Sequence, residues 1–489
     1  MFWEPHSHAL AGVSQPPAPC DTQSVKHTAH GYWLEEAPEV EVAPELVGER
    51  SVDVVVVGGG YTGMWAAWHV KRLEPEARVL LLEADRCGFG PSGRNGGFCN
   101  LMWFSLPNMR ERWGDAGALA VARAAQAAAA GIGEFCAAEG VDAWHRRGGY
   151  LQVSTAAAHD RVWADALSAC RELGVESAIE PLTAEQVAAR CASPAFRGGV
   201  FYPDAATVQP ARLALGLRER LRDRGVEIHE RSPVTRLVGS PYGVEAHGAR
   251  GVVRARSAVL ALGAAAKAPG APLRSRLTVA SSHVVITEPV PDVLAEAGWT
   301  GGECITDSRA LIDYFRTTPD GRIAFGWGGG RIAAGARLGG RAELDGVVVA
   351  LAAARLREYF PAVAGRELTH AWGGPIDASP THLPLVLPLR GGRAFVAAGY
   401  TGNGVGPSHM VARTLASLAL DRRDEPSCLA FVDPSPPRVP PEPFHWMGGE
   451  AIRAAIQRKE NAELAGREPS LISSLVSRVP ELIGFHLGR

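Results

Sequence analysis

Residues 51–83 constrain the fold more than any other stretch of this chain. Residues 52–57 form a β-branched run broken only by Asp53, the pattern of a parallel strand buried on both faces. The run ends in Gly58-Gly59-Gly60-Tyr61-Thr62-Gly63, and a helical stretch follows to about Leu73. Residues 78–82 then give a second apolar strand closed by Glu83. This is strand–loop–helix–strand with G-x-G-x-x-G at the first corner and an acid at the end of the second strand, the pattern of a dinucleotide site. Gly58 allows the tight turn, Gly60 lets backbone approach a pyrophosphate, and Gly63 lets the helix pack closely. The helix start offers N–H groups and a positive dipole end to phosphate. Glu83 can accept from ribose hydroxyls and repels a 2′-phosphate, which disfavours NADP.

A second glycine-rich loop follows the acid directly, from Gly88 through Gly90, Ser92, Gly93, Arg94, Asn95, Gly96 and Gly97. A nicotinamide dehydrogenase has no use for it there, whereas a protein that lays an isoalloxazine ring against backbone does. A third cluster, Gly399-Tyr400-Thr401-Gly402-Asn403-Gly404-Val405-Gly406, sits between a strand at 394–398 and a helix at 408–420. That helix start can direct N–H donors at a ring oxygen whose charge grows on reduction.

Between the clusters the pattern predicts an Ala-rich structural helix at 115–139, an amphipathic helix at 208–224, strands at 226–229 and 257–263, and the loop residue Val234. Arg218, Arg220, Arg222 and Arg224 alternate with acids, which predicts a solvated helix face. Residues 275–365 change texture, with strand-like runs at 283–287 and 322–326, and read as an antiparallel insertion. Residues 1–50 read as an irregular arm anchored by Trp3, Tyr32 and Trp33, with His6, His8, His27 and His30 as surface groups rather than metal ligands. The tail from Asp433 is Pro-rich, then helical at 450–464, and carries no catalytic signal.

Composition removes competing classes. A net charge of −2 argues against a nucleic-acid binder. The 8 cysteines include no C-x-x-C pair, so no zinc site is expected and a reducing compartment fits. None of the lysines, at 26, 71, 267 and 459, follows a Gly, so no P-loop exists. G-x-S-x-G and H-E-x-x-H are absent as well. With neither a secretory leader pattern nor a membrane-length apolar run, the expectation is a cytoplasmic protein without a membrane span.

The three clusters in this order, with Trp372-Gly-Gly-Pro-Ile-Asp377, Ile286-Thr-Glu-Pro289 and the run from Thr318 to Ile323, resemble the D-amino-acid-oxidase-like FAD-dependent oxidoreductases over roughly residues 50–425. Within them the chain is most similar to the gamma-glutamylputrescine oxidase-like amine oxidoreductases. The resemblance implies an α/β fold: a Rossmann-like FAD-binding domain with an inserted antiparallel α+β substrate domain. The expected order is an arm (1–50), FAD-binding parts at 51–140, 201–270 and 371–425, substrate parts at 141–200 and 271–370, and a tail (426–489).

It implies FAD held by Gly58, Gly60, Tyr61, Thr62 and Gly63, then by Glu83, Ala84 and Arg86, with Val234 near adenine and Gly263 closing the third strand. Gly90, Ser92 and residues 93–97 (Gly93, Arg94, Asn95, Gly96, Gly97) would flank the ring on one side. Gly399, Tyr400, Thr401, Gly402, Asn403, Gly404 and Val405 would flank it on the other. Some relatives tether flavin through a His in the second loop or a Cys near the substrate-domain exit. Arg94 stands at the first position and Trp372-Gly373-Gly374 lacks the second, so non-covalent FAD is expected. Amino-acid-oxidising relatives clamp a carboxylate with an Arg near that exit. Residues 373–379 contain none, which favours an amine substrate, with Arg316 an alternative clamp.

Trp372, Tyr314 and His283 are the expected pocket residues, an aromatic wall suited to an alkyl ammonium. The implied reaction oxidises a C–N bond of a small-molecule amine, with oxygen or another acceptor taking the electrons. A tailoring oxidase or monooxygenase and a flavin-carrying subunit of a heteromeric dehydrogenase are the alternatives, and a homo-oligomer is left open.

Overall fold

The computed structural model describes residues 26–27, 30–268, 270–433, 435–482 and 484–486. The valine run lies in the strand Gly48–Val57, parallel to Val79–Leu82 on one side and to Gly251–Leu260 on the other. Its alternation explains why every position is apolar. Val54 and Val56 face a core built with the helices Tyr61–Leu73 and Val405–Ala419. Val55 and Val57 face a second core shared with Val244, Val253 and Val396. With both faces covered, nothing polar is tolerated between Val54 and Val57. Glu227–His229 extends this eight-stranded sheet beyond Val79–Leu82, and Ala394–Ala398 pairs parallel with Gly251–Leu260.

A second, nine-stranded sheet is built mainly from Tyr150–Ser154, Gly198–Tyr202, Thr278–Thr287, Cys304–Asp307, Asp313–Thr317, Ile323–Trp327 and Leu368–Ala378. Most of its neighbours run antiparallel. Helix Gly346–Tyr359 packs an apolar stripe (Val349, Ala352, Leu356) against it, together with Phe315 and Phe325. The strand Leu368–Ala378 brings Trp372-Gly-Gly-Pro-Ile-Asp377 along this sheet toward the third glycine cluster.

The structure corrects several element boundaries. The Ala-rich helix starts at Leu106 and passes Gly114, whose φ of 67° breaks the helical geometry before residue 115. The helix expected from 208 is Pro210–Asp223, entered through Gln209, whose side chain accepts from Arg212 N–H. The strand expected to reach Gly263 ends at Leu260 and turns into a short 3₁₀ segment. The helix after the third cluster begins at Val405, inside the glycines rather than at Ser408.

Two further expectations change for tertiary reasons. The arm is not wholly irregular. Lys26–His27 adds a parallel edge strand beside His370 and Ala371, and helix Gly31–Glu35 buries Tyr32 and Trp33. Trp3, His6 and His8 lie outside the described residues. Arg218 is not on a solvated face either. It is fully buried, and its guanidinium donates to Glu230 at 2.9 and 3.1 Å. Glu230 also accepts from Ala43 and Cys87 N–H, so one ion pair ties the arm, the second loop and this helix together. Removing one partner of such a pair leaves a buried charge, a loss of about 3–5 kcal/mol.

Candidate active site

The first glycine corner is built by close approach. Gly58 has φ of 109°, and a Cβ there would lie 2.3 Å from the Ala261 carbonyl oxygen. A Cβ on Gly63 would lie 1.9 Å from the Gly58 oxygen, so only two glycines let the helix start lie against the strand. Tyr61 N–H, at that helix start, donates to Ser92 Oγ at 2.8 Å, which joins the first loop to the second. Thr62 Oγ1 bonds the Tyr400 hydroxyl at 2.7 Å, which joins the first loop to the third. Three clusters distant in sequence therefore meet at one helix N-terminus.

They enclose a cavity of about 680 Å³, within the range of small-molecule and cofactor sites. Its wall includes Gly60, Tyr61, Thr62, Glu83 and Arg86 from the nucleotide half, with Gly263 at the start of the 3₁₀ segment that follows the third strand. Gly90, Ser92, Arg94, Asn95 and Gly96 line it from the second loop, and Tyr400 through Val405 from the third. Gly58, Gly63, Gly93, Gly97 and Gly399 stand behind this wall and shape the backbone that forms it. Ala84 and Val234 are not in it.

Glu83 accepts from Gly59 N–H at 2.6 Å and Asp85 N–H at 2.9 Å, and burial raises its pKa. Asn95 accepts from Gly97 N–H at 2.7 Å and donates to Ser92 O at 2.9 Å, which locks the second loop.

Of the four expected pocket residues, Tyr314 lines the cavity. Its hydroxyl bonds Ser282 Oγ at 2.7 Å, and its ring lies where a Cβ on Gly96 would meet it at 3.1 Å. The other three lie behind the wall. Trp372 is fully buried against Trp33, and its Nε1–H donates to the Arg94 carbonyl at 2.8 Å. His283 accepts from Asp345 N–H at 2.9 Å, and burial lowers its pKa to about 4, so it is a neutral acceptor. Arg316 donates to the Val208 carbonyl and packs against Gly97, a brace for the second loop.

Asp377, absent from the expected site residues, and Arg94, expected in the second loop, both face this space. Asp377 lines it and accepts from Gly399 N–H at 2.5 Å, and burial raises its pKa to about 6. An acid between the apolar Ile376 and Ala378 was the available signal. Arg94 crosses to the same strand: a Cβ on Gly374 would lie 3.9 Å from its guanidinium carbon. Burial lowers its pKa, and Glu343, also on the wall, offsets part of that.

The family model for FAD dependent oxidoreductases matches residues 53–418. The chain belongs to that family. It is 28% identical to gamma-glutamylputrescine oxidoreductase of Escherichia coli (strain K12), across 88% of this chain and 95% of that protein. It is 27% identical to a probable oxidoreductase OrdL of Rhizobium meliloti (strain 1021), across 87% of this chain and 95% of that one. In structure it resembles glycine oxidase from Geobacillus kaustophilus, with a TM-score of 0.61, 21% identity, and coverage of 77% and 96%.

The two-domain α/β architecture and FAD as cofactor follow. The residues present fit that cofactor: a glycine cradle that a Cβ would fill, Glu83 at the second strand end, and two further loops converging on one cavity. Among the described residues no group of three His, Cys, Asp or Glu is gathered for a metal, and no helix is long and apolar enough to cross a membrane.

Proposed function

We propose that this FAD-dependent oxidoreductase oxidises the C–N bond of a primary or secondary amine. Bound FAD supplies the hydride acceptor. The carbon beside nitrogen loses a hydride, the nitrogen lone pair forms the imine, and water splits the imine into a carbonyl compound and the residual amine or ammonia. Oxygen or another acceptor takes the two electrons onward.

The observation carrying this reading is the junction where Tyr314, Gly96, Arg94 and Gly374 meet on the cavity wall. It joins the second glycine loop to the nine-stranded sheet, and it presents an aromatic edge and the Tyr314–Ser282 hydroxyl pair to a ligand. An ammonium must shed a proton before it can lose hydride, and Asp377, with its pKa near 6, is a carboxylate on that wall able to take one. Residues 51–140, 201–270 and 371–425 are read as nucleotide-domain parts, and 141–200 and 271–370 as the substrate part. The site in the first group is expected to hold FAD without a covalent bond, since Arg94 stands where some relatives carry a tethering histidine and no cysteine is among the described residues that line the cavity.

A carboxylate-bearing amine is the second reading, favoured by Arg94. Its guanidinium beside Gly374 puts a cation on a strand that has no Arg of its own between 373 and 379. Product analysis tests the main reading: turnover of an accepted amine releases one carbonyl compound per two electrons delivered to the acceptor. Consumption of amine without carbonyl product rejects it.

A further inference from the structure

Helix Phe444–Leu464 lies beyond residues 53–418, the part that matches the family model. It nevertheless completes the cavity. Glu450 accepts from Ile332 N–H at 2.7 Å, and Arg453, paired with Glu450 at 2.9 Å, donates to the Gly329 carbonyl at 3.3 Å. One helix span further on, Glu460 accepts from Ala310 N–H at 2.6 Å and Leu311 N–H at 3.2 Å. Glu460 is buried over Arg309, whose guanidinium is itself paired with Asp307 and Asp313. The two acids therefore pin two separate loops of the nine-stranded sheet to one helix. Between them Ile456 is buried, and it lines the cavity with Leu311, Ile312, Ile332 and Leu338. These residues form an apolar lobe of the cavity, whose Leu311 and Ile312 lead directly into the strand Asp313–Thr317 that carries Tyr314.

We infer that the C-terminal helix sets substrate length: Ile456 is the end wall of an apolar lobe that takes the alkyl or aryl substituent of the amine. Glu450 and Glu460 are positioning residues that hold this wall by fastening the loops at 329–332 and 310–311. The inference rests on the amine reading for the ligand's class, and on the helix geometry for the wall itself. A lobe lined this way binds an extending chain by removing it from water, about 0.8 kcal/mol per methylene, or about fourfold in affinity, until the chain meets Ile456.

The test uses the FAD-loaded full chain under anaerobic conditions, with a ladder of n-alkylamines from propylamine to decylamine. Perturbation of the visible flavin band reports binding, whether or not reduction follows. In the wild type, affinity rises by about fourfold per carbon and then levels off. Ile456→Ala moves the plateau to longer homologues, and Ile456→Trp moves it to shorter ones, with FAD content unchanged. Glu460→Gln keeps an acceptor for the two N–H groups and retains the wild-type profile. Glu460→Leu weakens only the long homologues, by about tenfold, the loss of one to two hydrogen bonds.

Identical chain-length profiles in wild type, Ile456→Ala and Ile456→Trp overturn the inference. If Ile456→Ala fails to fold, Ile456→Val and Ile456→Met decide by the same shift. Saturable binding without bleaching in every protein overturns the amine-oxidation reading while the ladder still decides the wall. No band change with any amine overturns both.

Discussion

Gly63→Ala yields a protein that folds but carries almost no FAD. The new methyl would stand 1.9 Å from the Gly58 carbonyl oxygen, where carbon–oxygen contact needs well over 3 Å. The helix Tyr61–Leu73 must then lift from the strand Gly48–Val57, and it takes with it the N-terminus joined to Ser92 and to Tyr400. All three glycine clusters depend on that corner, so affinity for FAD should fall by at least about 100-fold, equivalent to roughly 3 kcal/mol. Gly346→Ala serves as control, because a Cβ there meets nothing within 4 Å. The measurement is flavin absorbance per protein after gel filtration, followed by acid precipitation of the wild type. The wild type is expected yellow, with all colour released to the supernatant. A yellow Gly63→Ala protein contradicts the cradle, and colour in the pellet contradicts non-covalent binding.

Stability is expected to fall steeply as pH drops below about 6.5, the ordinary histidine value. Seven histidines, four buried (69, 283, 409 and 445) and three half-buried (145, 382 and 486), have pKa values lowered by loss of solvent. His283 and His382 come down to about 4 and His409 to about 3. Between those values and 6.5 the unfolded chain binds protons that the folded chain refuses, so stability rises with pH across that window and is lost as pH falls. His283 and His409 alone contribute on the order of 3–5 kcal/mol each. Asp377, raised to about 6, Glu460, raised to about 7, and Glu83 and Asp313, both raised by burial, act in the opposite sense, since the folded state holds their protons more tightly.

The histidines outnumber them, and carboxylates with lowered pKa, such as Glu230, add to the acid loss at lower pH. Thermal melts from about pH 7 to about pH 5 should show a falling midpoint. His409→Phe, which keeps a ring against Trp65, should flatten the fall. A midpoint that is level or rises on acidification goes against this account.

How much of this could be read from the chain depended on whether a local pattern or a distant partner set the feature. The strand–glycine–helix corner, Glu83 and the two later glycine loops are local patterns, and the structure brings all three clusters to one cavity. Tyr314 was placed on that wall by its strand. Trp372, His283 and Arg316 have the right chemistry, but strand alternation and packing turn them behind the wall, where they hold Arg94, the loop at Asp345 and the second glycine loop. No local rule separates these outcomes, since a tryptophan or arginine at either face of a strand has the same neighbours in sequence.

Arg218 shows the same limit. Its interleaved charges suggested a solvated face, and only the fold supplies Glu230 to bury it against. The edge strand at Lys26–His27 and the Ile456 wall come from segments flanking the family-matched span, where pairing with residues more than a hundred positions away decides the structure.

The central claim is that an amine is the electron donor to FAD in this cavity. Anaerobic titration of the FAD-loaded protein with a panel of primary and secondary amines, and separately with NADH and NADPH, tests it most directly. The account predicts that at least one amine bleaches the visible flavin band stoichiometrically while neither nicotinamide does. Bleaching by NADH or NADPH alone, with every amine inert, would contradict it.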